Sequence, residues 1–199
     1  PSNKVILSLR DIEKSFGGIH ALSGVSFDLR EGEVHALVGE NGAGKSTLIK
    51  IVSGAYYPDK GTIYIGGKAY DSLSPSLSRK LGVGVVYQEF NILPEMSVAE
   101  NISLSAQPLG KSKFLIDRKA RYKTAFHLLE RLGAHQSIDP DELVKNLTVG
   151  EQQIVEIAKA LGSDAKILIM DEPSAVLTGR DLERLHTVIC KTRCDGRSL

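Results

Sequence analysis

The sequence has no tryptophan, two cysteines, two methionines and only 6% aromatic residues among its 199, and its charges nearly cancel, with 25 Lys and Arg against 24 Asp and Glu. Each shortage excludes something. A near-neutral chain without a basic run lacks the electrostatic footprint of a protein that neutralises many nucleic-acid phosphates, so no nucleic-acid partner is expected. No run approaches the roughly eighteen consecutive apolar residues of a membrane-spanning helix, and the opening "PSNKVILSLR" has neither the apolar length nor the cleavage site of a secretory signal. Cys190 and Cys194 stand four apart, a spacing that suits neither a CxxC redox pair nor a zinc knuckle. They are expected to be unpaired thiols in a reducing, intracellular compartment. What is left, 42% hydrophobic and 25% charged residues, is a globular composition long enough for one substantial core or two lobes sharing one. Opening on Pro1 rather than Met, the chain is expected to be trimmed at its start.

Short β-branched runs bounded by turn residues recur at "VILSL", "VSFDL", "VHALVG", "TIYIGG", "VGVVYQ" and "KILIMD", and each predicts a strand. The early ones alternate and are separated by turn formers, as in an antiparallel, half-exposed sheet. "VHALVG" and "ILIMD" are almost continuously apolar, as in parallel strands buried on both faces. Between Glu89 and Leu161 helical periodicity takes over. Tyr122, Ala125, Leu129 and Leu132 share one face, and so do Ile154, Ile157, Ala158 and Leu161. Three helix starts carry a capping-box pattern: Ser97 with Glu100, Thr148 with Glu151, and Thr178 with Asp181. An α/β chain with a helical insertion is the expectation.

"GENGAGKST", Gly39, Glu40, Asn41, Gly42, Ala43, Gly44, Lys45, Ser46 and Thr47, fits the pattern G-x-x-x-x-G-K-[ST] and lies between the apolar run "VHALV" and the helix-like "TLIKIV". Glycine at 42 and 44 lets successive backbone N–H groups turn inward and approach phosphate oxygens without a Cβ in the way. A helix N-terminus adds partial positive charge, Lys45 a full one for the β- and γ-phosphates, and the Ser46 hydroxyl a ligand for Mg²⁺. Further on, "ILIMDE" ends an apolar strand in two adjacent carboxylates, Asp171 and Glu172. Neighbouring strand residues point opposite ways, so one carboxylate can face a metal while the other faces an attacking water. "LTVGEQQ" reads first as a capped helix start, Thr148 as cap and Glu151 closing the box; beside a phosphate loop it also reads as a second anion site, through the Thr148 hydroxyl and an accessible backbone at Gly150.

These motifs, in this order, resemble the ATP-binding subunit of an ABC transporter over nearly the full length. "VVYQEFNILPEMSVAENI" resembles the family's Q-loop, with Gln88 at the motif position, and "LTVGEQQ" resembles its LSGGQ signature, with Thr148 for Ser, Val149 for the first Gly, Gly150 kept and Glu151 for Gln. "KSFGG" falls where the family stacks an aromatic residue on adenine, which nominates Phe16. "VGEQQIVEIAKAL" and "EPSAVLT", with Thr178 ending the D-loop, are similar to the carbohydrate-importer branch of ribose, galactoside and xylose type.

The resemblance implies a P-loop NTPase core with a mainly parallel sheet, an N-terminal antiparallel β subdomain and an inserted α-helical subdomain, with boundaries at 1–88, 89–161 and 162–199. It implies ATP as substrate, phosphates held by the loop and Lys45, Mg²⁺ held by Ser46, Gln88 and Asp171, Glu172 acting on the water, and Gln88 also taking part in catalysis by reporting the γ-phosphate to the helical insertion. It also implies a second nucleotide-binding domain, in trans or in tandem, whose nucleotide the Thr148–Glu151 segment serves. Membrane permease subunits, an indirect sugar-binding protein and a place on the cytoplasmic face of the membrane complete the expectation. The family's switch His would fall about five residues past Leu199 by motif spacing, so the chain is expected to be a fragment. His20, His35, His127, His135 and His186 are read as surface or partly buried residues. Two other readings stay open in the sequence: a non-transport ABC ATPase acting on a macromolecule, and a nucleotide-binding piece with little hydrolysis.

Overall fold

The computed structural model describes residues 4–87, 90–105, 117–163, 165–171 and 179–199, the side chains of Arg180, Asp181 and Arg184 excepted. A turn at Gly17 and Gly18 folds the first two apolar runs together, so β1 (Val5–Phe16) and β2 (Ile19–Arg30) pair antiparallel with Phe16 opposite Ile19. β3 (Lys60–Ile65) joins the other edge of β1, and the short β4 (Lys68–Tyr70) returns on β3, giving the order β2-β1-β3-β4. Alternation buries Leu7 and Leu9; a register shift at Asp11, whose φ is 51°, then returns Ile12 to the interior. α1 (Lys45–Val52) buries Leu48, Ile51 and Val52 in the same core as Leu7, Leu9, Ile12, Ile63 and Ile65. Full burial of such a side chain contributes about 1.5–3 kcal/mol, so this core fixes α1, and the loop before it, to the sheet.

After α2 (Pro75–Lys80), capped by Ser74, β5 (Val83–Val86) pairs in parallel with β6 (Ile167–Met170), Val83 opposite Ile167 and Val86 opposite Met170. The crossover between them carries α3 (Val98–Ser103), α4 (Arg118–Leu132) and α5 (Val149–Gly162), and α6 (Gly179–Cys194) follows β6. Ile102, Leu129, Ile157, Leu168 and Val188 meet in a second core. Val83 and Ile167 belong to the first core, Val86 and Leu168 to the second, so the parallel pair is the seam between them.

Two expectations change here. "VHALVG" forms no strand: the segment is open, with Val34, Leu37 and Val38 at 47%, 45% and 91% exposure. Among the described residues its sheet-side partner is Leu199 alone, which accepts from the His35 N–H and donates to the Glu33 carbonyl, while Ser198 bonds to Lys166 and Leu168 of the β6 side. Past that point a cavity of about 370 Å³ separates the run from β6. Apolar content without a partner ladder does not make a strand. Tyr122 is the second change: it is 37% exposed, and Leu128 takes its place on the buried face of α4.

The capping boxes at Ser97–Glu100 and Thr148–Glu151 both form, whereas Thr178 lies outside the described residues. Cys190 and Cys194 are free and exposed on α6. His20, His35, His127 and His186 are exposed and His135 is half-buried. No helix among the described residues is long and apolar enough to cross a membrane.

Candidate functional site

The loop from Gly39 to Gly44 delivers the chain into α1 with Gly44 as the N-cap, at a φ of 86°, and Gly42 also takes a left-handed φ, of 84°. Gly44 has no room for a side chain, since a Cβ there would come 2.4 Å from the Ala21 carbonyl oxygen and 2.7 Å from Leu22 Cδ2. Packed against β2 in this way, the loop lines a pocket of about 190 Å³ with Asn41, Gly42, Gly44, Lys45, Ser46 and Thr47. The first turn of α1 holds no acidic residue, so its N–H groups and dipole are uncompensated. Lys45 Nζ donates to the carbonyls of Gly39 (2.6 Å) and Glu40 (2.9 Å), which holds the ammonium over the loop.

At the carboxyl edge of the parallel pair, the Asp171 N–H donates to the Val86 carbonyl at 2.9 Å, extending the ladder one residue past Met170. Asp171 and Lys45 line the same 370 Å³ cavity. The structure therefore sets Lys45, at the start of α1, and Asp171, from the end of "ILIMDE", on one cavity, while Ser46 and much of the phosphate loop line the smaller pocket that Lys45 shares. Gln88 and Glu172 lie outside the described residues. A hydroxyl and a carboxylate form the hard oxygen set that suits Mg²⁺, which takes one or two carboxylates and completes its shell with phosphate and water; Ser46 and Asp171 fit that demand.

Phe16, 42% exposed, stands at the tip of the β1–β2 hairpin on a platform of side chains. Its ring meets Tyr56 edge-on at 5.3 Å, and Lys14 Nζ lies 5.4 Å from its centre. Tyr56 is tied by its N–H to the Lys50 carbonyl, so the platform is anchored to the far end of α1. Asp59 locks the strand below: its carboxylate accepts from Lys14 Nζ and from the Ser15 N–H, both at 2.7 Å. Those bonds, the Lys14 one first, hold the Asp59 carboxyl below the usual carboxylate range. A depressed folded-state pKa contributes stability that is full above the unfolded value and is lost as pH falls through the folded one. The stability gap between wild type and Asp59→Asn is thus expected to be widest at neutral pH and to close below about pH 4, as read from urea midpoints across the acid range. A constant gap would assign the effect to shape alone.

At the second glycine-bearing helix start, Thr148 Oγ1 accepts from the Glu151 N–H, and a Glu151 carboxylate oxygen accepts from the Thr148 N–H (3.0 Å) and hydroxyl (2.9 Å). Glu151 is folded back into the cap. Gly150 is buried, contrary to the reading of it as an accessible backbone, and Val149, 44% exposed, forms the surface at this end.

Sequence reasoning passed over Glu156. On "IVEIAKAL" it looked like the polar side of an amphipathic helix, yet it is 5% exposed and burial pushes its carboxyl up. The usable signal was a charge standing between Val155 and Ile157 on a helix that the structure buries almost all round.

The architecture is that of an ATP-binding cassette. It superposes on the nucleotide-binding cassette MJ1267 of an ABC transporter in its ADP conformation with a TM-score of 0.84 and 29% identity, over 98% of this chain and 80% of that one. A dimeric post-hydrolysis cassette, MJ0796 bound to ADP and Pi, matches with a TM-score of 0.79 and 27% identity, over 97% and 85%. The family model for ABC transporters matches residues 22–175, and the chain belongs to that family. Among curated relatives, the ribose import ATP-binding protein RbsA 1 of Rubrobacter xylanophilus is 49% identical over 191 residues, which is 96% of this chain and 38% of the relative. The chain spans less than two-fifths of the length of the curated relatives it matches.

Proposed function

We propose that this chain is the nucleotide-binding part of an ATPase that drives sugar import through a membrane permease. The observation that supports it best is that Lys45, which follows a phosphate-loop glycine, Gly44, that admits no side chain, lines one cavity with Asp171. ATP enters with its adenine against Phe16 and its phosphates against the amides of Gly39 to Thr47, where Lys45 exchanges the loop carbonyls for phosphate oxygens. Mg²⁺ would be held by Ser46 and Asp171, with Gln88, and would supply charge neutralisation at the phosphates. Glu172 orients the water and accepts its proton as the oxygen attacks the γ-phosphorus in line and ADP leaves.

The helix start at Thr148, Val149, Gly150 and Glu151 serves the nucleotide of a second such domain, in trans or in tandem, so that two domains close head to tail. The helical insertion meets permease subunits, which receive their sugar from a binding protein, and the whole lies at the cytoplasmic face of the membrane. Val149 gives the test, because bulk there meets the partner and not the core. In the full-length protein carrying Glu172→Gln, ATP is expected to drive association of the nucleotide-binding domains, and Val149→Trp to weaken that association at least about tenfold, a change of about 1.4 kcal/mol, with ATP affinity at Lys45 unchanged. Unaltered association, followed by cross-linking or sedimentation, would remove this helix start from the interface.

A further inference from the structure

The segment after Gln88 is held by side chains that no motif names. From α3, fully buried Asn101 accepts the Leu93 N–H at 2.7 Å and donates to the Leu93 carbonyl at 3.0 Å. From α5, Lys159 Nζ donates to the Asn91 carbonyl, and the Glu156 carboxyl lies against the Asn91 N–H, which favours its ionised form. Asn91 is thus gripped on both of its backbone groups by one face of the helix that Thr148 begins.

The grip is expensive for a helix that needs only to pack. Glu156 Oε1 has no hydrogen-bond partner and lies 3.9 Å from Lys159 Nζ, beside a cavity of about 290 Å³ that Tyr87 and Asn91 also line. A buried carboxylate oxygen without a hydrogen bond, its charge met only by Lys159 at 3.9 Å, costs free energy that an apolar residue, such as neighbouring Ile157, does not. The raised carboxyl has the same meaning: the folded state binds the proton more tightly than the unfolded one, so stability falls as pH rises through this group, and the ionised form works against folding at neutral pH.

We propose that Glu156 and Lys159 are positioning residues which fasten the backbone at Asn91, three residues past Gln88 in the chain, to α5, so that the stretch from Asn91 to Leu93 and the helix beginning at Thr148 move as one body. The proposal rests on the function given above. A displacement where the γ-phosphate is sensed is then delivered to the surface that meets the partner domain, across one carboxylate and one ammonium. Asn101 adds the third hold, from α3.

Hydrogen exchange tests the fastening without nucleotide, and turnover tests its use. In the full-length protein with its permease, Glu156→Ala is expected to speed exchange at the Asn91 amide at least about tenfold and to lower permease-stimulated ATP turnover at least about tenfold, with ATP affinity within about twofold of wild type. Glu156→Gln keeps an oxygen for the Asn91 N–H and removes the buried charge. It is expected to restore exchange and turnover to within about threefold and to unfold at the wild-type temperature or above. Lys159→Met probes the other half of the grip if Glu156→Ala does not fold, with the same expected loss of stimulated turnover. Unchanged Asn91 exchange in Glu156→Ala, or Glu156→Gln as defective as Glu156→Ala, would overturn the proposal. Failure of the wild type to bind ATP would instead overturn the function, and the exchange result would stand by itself.

Discussion

Gly44→Ala is expected to weaken ATP binding at least about a hundredfold, while Gly42→Ala weakens it by only about tenfold. Both glycines have left-handed φ, which costs an L-residue roughly 1–2 kcal/mol. Only Gly44 is also blocked, by the Ala21 carbonyl at 2.4 Å and Leu22 Cδ2 at 2.7 Å, whereas nothing lies within 4 Å of a Cβ at Gly42. β2 cannot yield, because Leu22 is paired with Lys14 across the hairpin and buried in the first core. The loop and the first turn of α1 must move instead, which takes several N–H groups and the Lys45 stem off the phosphate positions together. A further tenfold corresponds to about 1.4 kcal/mol, a modest figure for a backbone displaced by a contact of that length. Calorimetric titration with ATP measures both variants; equal losses would assign the whole effect to φ and none to the contact with β2.

Glu172→Gln is expected to lower ATP turnover by about 10²–10⁴-fold, the contribution of a positioned general base, and to leave ATP affinity within about twofold. The amide keeps the size and can still bond the water, but it cannot take the proton. Asp171→Ala should differ in kind, since Asp171 is placed at the cavity with Lys45: its loss should weaken Mg²⁺-dependent binding before turnover is considered. Phosphate release and nucleotide affinity, measured on the full-length protein, separate the two. Near-normal release by Glu172→Gln would remove Glu172 from the chemistry.

What was legible in the sequence was what the chemistry requires to be contiguous. A phosphate loop needs its glycines, lysine and hydroxyl at fixed spacing on a strand-to-helix turn, so Gly39 to Thr47 could be read outright. The capping boxes at Ser97 and Thr148 are equally local, and both formed. The features that escaped depend on partners far away in the chain. "VHALV" has the composition of an interior strand, but a strand is made by its neighbours, and the described residues give this run only Leu199. Phe16 could be nominated by position, yet Tyr56 and Asp59, which set its ring and its strand, lie some forty residues on, beyond any local pattern. β4 is only three residues long, too short for alternation to register. Glu156 was missed for a different reason: periodicity assigns charges to the solvent side, and this one lies inside, against the Asn91 backbone of another segment.

The seam formed by β5 and β6 also bears on how the chain folds. The hairpin of β1 and β2 closes over neighbouring residues, and α4 and α5 find each other within the insertion. Val83 and Ile167, by contrast, must meet across about eighty intervening residues, and the entropy of closing such a loop is offset only once many contacts form together. Docking of the parallel strands is therefore expected as the late, slow event, following local collapse of the hairpin and of the helices. Because Asp171 bonds to Val86 at the end of that same ladder, the cavity that Asp171 lines with Lys45 comes into being only when the last long-range closure is complete.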